Sequence, residues 1–143
     1  MAGKIVIAGS CLVALSMKGK RFPTVGETVA ADTFISETGG KGTNQALAAA
    51  RLGSDVAFIG CVGEDIYGKS AIQTYRESGV NVTGLRTDRL SPTGAALVMI
   101  NSEGKNTIEF IQHFCSFSGI KGQQHLCICL RNKVLSRYFQ LAP

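Results

Sequence analysis

Residues 39–53, GGKGTNQALAAARLG, join a glycine-rich turn to one lysine and an unbroken run of helix formers. Gly39, Gly40 and Gly42 allow the backbone to approach a neighbour closely and to adopt positive φ. Thr43 or Asn44 can cap the helix that follows, whose free N–H groups and positive dipole end face the turn. Lys41 adds a point charge, and the Asn44 amide both donates and accepts. Ala46, Ala48, Ala49 and Ala50 favour helix, and Gly53 is placed to end it. The segment predicts either a cradle for a polar ligand at a helix start or a tight turn before a packed alanine helix.

Several other segments surround it: KIVIAGSC at 4–11, RFPTVGETV at 21–29, DVAFIGCVGEDIYGK at 55–69, ESGVNVTGL at 77–85 and PTGAALVMINSEGKNTI at 92–108. In this order the chain resembles the ribokinase, or PfkB-type, family of carbohydrate kinases over about residues 4–108. The resemblance implies an α/β fold, with a ribokinase-like partial parallel sheet, helices, and a small antiparallel sheet that acts as a lid over a sugar and often as a dimer contact. Family members run to about twice this length, so an N-terminal portion is expected.

The residues are consistent with that class. Strands are expected at 4–9, 12–18, 28–37, 55–61, 81–87, 94–100 and 105–111, with helices at about 43–52 and 66–78. Pro23 and Gly26 mark one turn and NSEG at 101–104 another. Strands alternating with helices point to an α/β sheet, and the extra strands to the accessory sheet. The apolar run within 4–16 reads as a buried first strand rather than a signal peptide, because Gly9 and Ser10 interrupt it. No run reaches the roughly 18–20 apolar residues that span a bilayer.

Charge and cysteine divide the chain in two. Residues 1–109 carry 11 Lys/Arg and 10 Asp/Glu, whereas 110–143 carry Lys121, Arg131, Lys133 and Arg137 with no acid. The basicity therefore belongs to the tail and gives no reason to expect nucleic-acid binding by the main region. Cys11 and Cys61 read as buried free thiols. Cys115, Cys127 and Cys129 with His113 and His125 fit no standard metal-ligand spacing, and no metal site is expected. An odd cysteine count favours a reducing, cytoplasmic setting. The resemblance stops near residue 109, where a Gly-Ala-Asn segment and another strand–helix unit would follow. Residues 4–109 are thus read as the ribokinase-like region with its lid strands. Residues 110–143 are read as a divergent tail from a frameshift, an alternative exon or a misassembled gene. That reading fails if the tail continues the domain as a regular strand and helix.

The resemblance also assigns a site. Gly40, Lys41, Gly42 and Asn44 match the family's second sugar-binding segment, and Ala96 and Val98 lie where lid residues cover the sugar, or else form the buried face of a strand. The family's opening turn, Gly-Ser-x-Asn-x-Asp, is here Gly9, Ser10, Cys11, Leu12, Val13 and Ala14. Leu12 and Ala14 replace the two polar residues that bond sugar hydroxyls, which predicts weak sugar binding at best. The family's base, anion hole and nucleotide pocket lie in a later Gly-Ala-Gly-Asp half that residues 1–143 lack. No catalytic residue is therefore assigned, and ATP and Mg²⁺, which serve the intact family, are not expected to bind well. The lid strands remain able to form a homodimer or to pair with a related kinase. One competing motif is present: Gly63–Ser70 satisfies G-x-x-x-x-G-K-[ST], with Lys69 and Ser70 as phosphate and Mg²⁺ contacts. Glu64 and Asp65 argue against it, and Asp65 reads equally as an N-cap.

Overall fold

A computed structural model describes residues 4–111, 127–130 and 133–135 of the chain. Strand β1 (Lys4–Ala8) is followed by β2 (Leu12–Lys18), β3 (Thr33–Gly39), α1 (Lys41–Arg51), β4 (Asp55–Gly63), α2 (Ile66–Glu77), β5 (Asn81–Asp88), β6 (Gly94–Ile100) and β7 (Asn106–Ile111), then by β8 (Cys127–Leu130) and β9 (Lys133–Leu135). Two sheets result, one ordered β5-β4-β1-β8-β9 and the other β3-β2-β6-β7. In the first, β1, β4 and β5 run parallel, connected through α1 and α2, as an α/β unit requires. Strand β8 joins β1 antiparallel and β9 joins β8 in the same sense.

The second sheet corresponds to the small accessory sheet expected from the sequence. Its outer pairs β2–β3 and β6–β7 are antiparallel, but the central pair β2–β6 is parallel, so the sheet is mixed rather than purely antiparallel. A chain that leaves β2 for β3, builds two βα units and returns at β6 re-enters in the direction it started.

The core lies between the parallel sheet and the helices. Ile7, Val56, Phe58 and Val62 point from the strands against Ala46, Leu47, Ala71 and Tyr75 of the helices. Phe58 and Tyr75 stack with ring centroids 4.7 Å apart, a geometry that adds to the area they bury. Gly53 and Gly79 take φ of 82° and 76° just past the two helices, as glycine after a helix C-terminus commonly does.

Three expectations are corrected. The third strand starts at Thr33, not 28, because residues 21–27 close on themselves: the Glu27 carboxylate accepts from the Thr24 amide at 3.1 Å, the Thr24 hydroxyl at 2.9 Å and the Arg21 guanidinium. The bond from Arg21 leads in holding that exposed carboxyl at a pKa of about 2. The first helix begins at Lys41 with Gly40 as its N-cap and no side-chain cap, so neither Thr43 nor Asn44 caps it. Finally, Cys11 is a buried free thiol, but Cys61 is only half-buried. The remaining cysteines and both histidines of the tail lie outside the residues whose side chains are described.

Candidate functional site

The turn after β1 and the turn before α1 meet with almost no space between them. A Cβ at Gly42 would lie 2.9 Å from both the Gly9 Cα and the Ser10 amide nitrogen, and one at Gly40 would lie 2.7 Å from the Ser10 carbonyl oxygen. Gly40 also holds φ at +107°, a region that side chains with a Cβ rarely enter. Gly40 and Gly42 are thus required by close approach to the first turn. This contact also explains the missing side-chain cap: the Ser10 carbonyl accepts the Thr43 amide at 3.2 Å and its hydroxyl at 3.3 Å. A backbone carbonyl from the neighbouring turn supplies what a capping side chain would otherwise provide.

Beneath the contact lies a polar group that sequence reasoning missed. Tyr75, on α2, is fully buried, and its hydroxyl meets the Thr43 hydroxyl at 2.8 Å. Cys11 borders the pair, and burial raises its thiol pKa. Burial likewise pushes the Tyr75 phenol above its ordinary value, so it remains a neutral hydrogen-bonding group. Tyr75 holds Thr43, Thr43 holds Ser10, and so α2 fixes how the two turns meet. The clue in the sequence was position: Gly68, Ala71 and Tyr75 lie along one face of α2, which is the buried face.

The predicted site residues fall into two groups that adjoin at Gly39. Lys41 and Asn44 are exposed at the start of α1, beside Gly40 and Gly42. Ala14 pairs directly with Ala96 across β2 and β6, and Leu12 pairs with Gly94 and Gly39. A Cβ at Gly39 would lie 3.2 Å from that of Ala14 and 3.6 Å from the Leu12 side chain. Leu12, Ala14 and Ala96 therefore share the face that abuts the glycine loop. Leu12 and Ala96 are buried there, while Val98 is half-buried two residues further along β6.

The Gly63–Ser70 segment is built to a different plan from a phosphate loop. Asp65 caps α2: its carboxylate accepts the Gly68 amide at 2.8 Å, the Thr93 amide at 2.7 Å and the Thr93 hydroxyl at 2.7 Å. The Thr93 hydroxyl in turn accepts the Gly63 amide at 2.9 Å. The helix N-terminus that an anion would need is filled by the chain's own carboxylate, and Gly63 is in contact with Thr93. These residues do not fit a nucleotide phosphate or its Mg²⁺, and among the described residues no group of three His, Cys, Asp or Glu could hold a metal ion.

Comparison with known proteins agrees with this geometry. Residues 2–113 match the model of the pfkB family of carbohydrate kinases. Mouse ribokinase is 34% identical over 110 residues, covering 77% of this chain and 34% of its own. Ribokinase of Bacillus subtilis is 38% identical over 113 residues, covering 76% and 36%. Among solved structures, Arabidopsis thaliana ribokinase complexed with ribose and ATP superposes with a TM-score of 0.69 at 36% identity, covering 78% of this chain and 36% of that one. Ribokinase from Giardia lamblia gives 0.70 at 34% identity, covering 77% and 33%. The chain thus spans about a third of the length of the curated relatives it matches.

Proposed function

The chain belongs to the pfkB family of carbohydrate kinases, and from that membership we propose that its lineage activity is ATP-dependent phosphorylation of ribose or a related sugar. We propose further that the 143-residue chain itself holds only the sugar side of that reaction and turns over no substrate. The observation that carries this reading is the close seating of Gly40 and Gly42 on Gly9 and Ser10, which brings the two sugar-side segments into one site. Lys41 and Asn44 present a cation and an amide to ligand hydroxyls, and Ala96 with Ala14 forms an apolar floor. With Leu12 and Ala14 in place of hydroxyl acceptors, sugar affinity is low.

Phosphoryl transfer needs a base at the attacking hydroxyl and donors around the moving phosphoryl group. No Gly-Ala-Gly-Asp segment occurs in residues 1–143, and the α2 N-terminus is taken by Asp65. Purified chain incubated with ribose, ATP and Mg²⁺ is expected to form no sugar-dependent ADP in a coupled assay. Turnover above a no-sugar blank would overturn the proposal of inactivity.

A second reading is favoured by the same sheet, whose register leaves Ile35, Ile108 and Phe110 exposed on one face and Phe34, Leu97 and Ile111 on the other, with β3 and β7 as its edges. Large apolar side chains gathered on one sheet mark an interaction surface. In this reading the lid pairs with a second copy or a related kinase. Light scattering is expected to return a dimer mass, and substituting Leu97→Lys and Ile108→Lys together is expected to return a monomer. A strictly monomeric wild-type chain at high concentration counts against pairing.

A further inference from the structure

The register of the lid sheet places an acidic side chain beside the position that lost one. Glu37 on β3 pairs directly with Ala14 on β2, Ala14 pairs with Ala96 on β6, and Ala96 pairs with Phe110 on β7. Residues directly opposite one another in a sheet share a face, with Cβ atoms about 4.5–5.5 Å apart on neighbouring strands. Glu37, Ala14, Ala96 and Phe110 therefore form one row, on the face where Gly39 abuts Ala14. Two alanines make a shallow trough, with a carboxylate at one end and an aromatic ring at the other. Gly39, on the same face as Glu37 and two residues on, keeps the trough open toward Gly40 and Lys41.

Glu37 has no other evident task. The ion pairs among the described residues join Arg21 to Glu27, Arg89 to Glu64 and Lys105 to Glu103, and Glu37 takes part in none. It is exposed, on an edge strand whose first five residues are all exposed. Its carboxylate lies two bonds beyond Cβ, which is enough to overhang the Ala14 methyl. Ala14 itself leaves nothing there to compete with it.

We propose that Glu37 is a specificity-determining residue that supplies, from the adjacent strand, the hydroxyl-accepting carboxylate absent at Ala14. This rests on the sugar-binding reading above. The ligand it selects is a small polyol presenting two adjacent hydroxyls to the β3 side, because a carboxylate accepts such a pair with both oxygens. The apolar face of the ligand then lies over Ala14 and Ala96 toward Phe110, and its remaining hydroxyls reach Lys41 and Asn44.

The test is a titration with D-ribose and 2-deoxy-D-ribose, followed through the amide resonances of Gly40 and Gly42, for wild type, Glu37→Gln, Ala14→Asp and the double variant. Wild type is expected to prefer ribose weakly. Glu37→Gln is expected to bind ribose about tenfold more weakly, the scale of one lost bond to a charged acceptor, and to lose the preference over the deoxy sugar. Ala14→Asp in that background is expected to restore both. Because Glu37 is exposed and outside every ion pair, melting temperature is expected to stay unchanged. Equal ribose affinity in wild type and Glu37→Gln overturns the inference. Ribose binding by Ala14→Asp alone, with none by wild type, overturns it while leaving the sugar site standing. Binding by no variant removes both.

Discussion

Gly42→Ala is expected to destabilise the domain by about 3 kcal/mol, at the upper end of what overpacking costs. In an ordinary helix the same change stabilises by about 1 kcal/mol, because glycine is the poorer helix former. The sign is decided by what the new methyl meets. It would stand 2.9 Å from the Gly9 Cα and the Ser10 nitrogen, both backbone atoms that no rotamer change can move aside. Either α1 shifts outward or the turn after β1 does, and each movement breaks the bonds from Thr43 to the Ser10 carbonyl. At about 2–4 °C of melting temperature per kcal/mol for a chain near 150 residues, the melting temperature should fall by roughly 6–12 °C. Gly53→Ala is the control: its φ is +82° but nothing lies within 4 Å of the added Cβ. There the backbone cost alone, about 1–2 kcal/mol, is expected. A Gly42→Ala protein as stable as wild type would mean that the two turns are not in contact, and the sugar-side site would have to be given up.

The contrast between these glycines shows what a sequence can disclose. That 39–42 needed glycine was legible, since three glycines before a helix have few other purposes. What they approach was not, because Gly9 and Ser10 stand 30 residues away and nothing local marks the contact. The helix start was misplaced for the same reason. Capping rules look for a side chain at the boundary, but here the acceptor is the Ser10 carbonyl, delivered by tertiary structure. Tyr75 carried a readable helical spacing that marks a buried face, yet its bond to Thr43 joins two helices and has no local signature.

Strands were found wherever hydrophobic pattern and flanking turns agreed. The β6 bounds match expectation, and β7 begins one residue late at Asn106. The expected third strand starts five residues early because Thr28, Val29 and Ala30 look like strand residues, while the Arg21–Glu27–Thr24 bonds that hold the loop are polar and short-range. The parallel β2–β6 pair was not foreseen. Pairing direction depends on where the chain goes after five intervening elements, which no window of sequence contains. The same pair sets Ala14 beside Ala96 and Glu37, so the row on which the specificity proposal stands became visible only with the register.

Asp65→Ala is expected to cost about 3 kcal/mol, combining the loss of an N-cap, roughly 0.5–2 kcal/mol, with that of two charge-assisted bonds to Thr93. Those bonds tie the start of α2 to the segment entering β6, so their loss loosens the parallel sheet and the lid together. Burial opposes ionisation of this carboxyl, but the bonds from Thr93, Gly68 and Tyr67 outweigh it and hold the pKa below the ordinary value. A carboxyl lowered in this way stabilises the fold above its unfolded pKa, and the contribution fades as pH falls through the folded one. Wild type should therefore exceed Asp65→Asn in stability at neutral pH, and the gap should begin to narrow near about pH 4, the unperturbed carboxyl range, and close as pH falls through the lower folded pKa. Lys69→Ala serves as the opposite extreme. Its side chain is exposed and outside the ion pairs described, so stability should change by less than about 0.5 kcal/mol. If instead Gly63–Ser70 cradled a nucleotide, ATP would raise the melting temperature of wild type and not of Lys69→Ala, and Asp65→Ala would bind ATP more tightly by removing a competing anion. Thermal denaturation of the three proteins with and without ATP separates the two plans, and the carboxylate-filled helix end requires that ATP shift neither wild type nor Lys69→Ala.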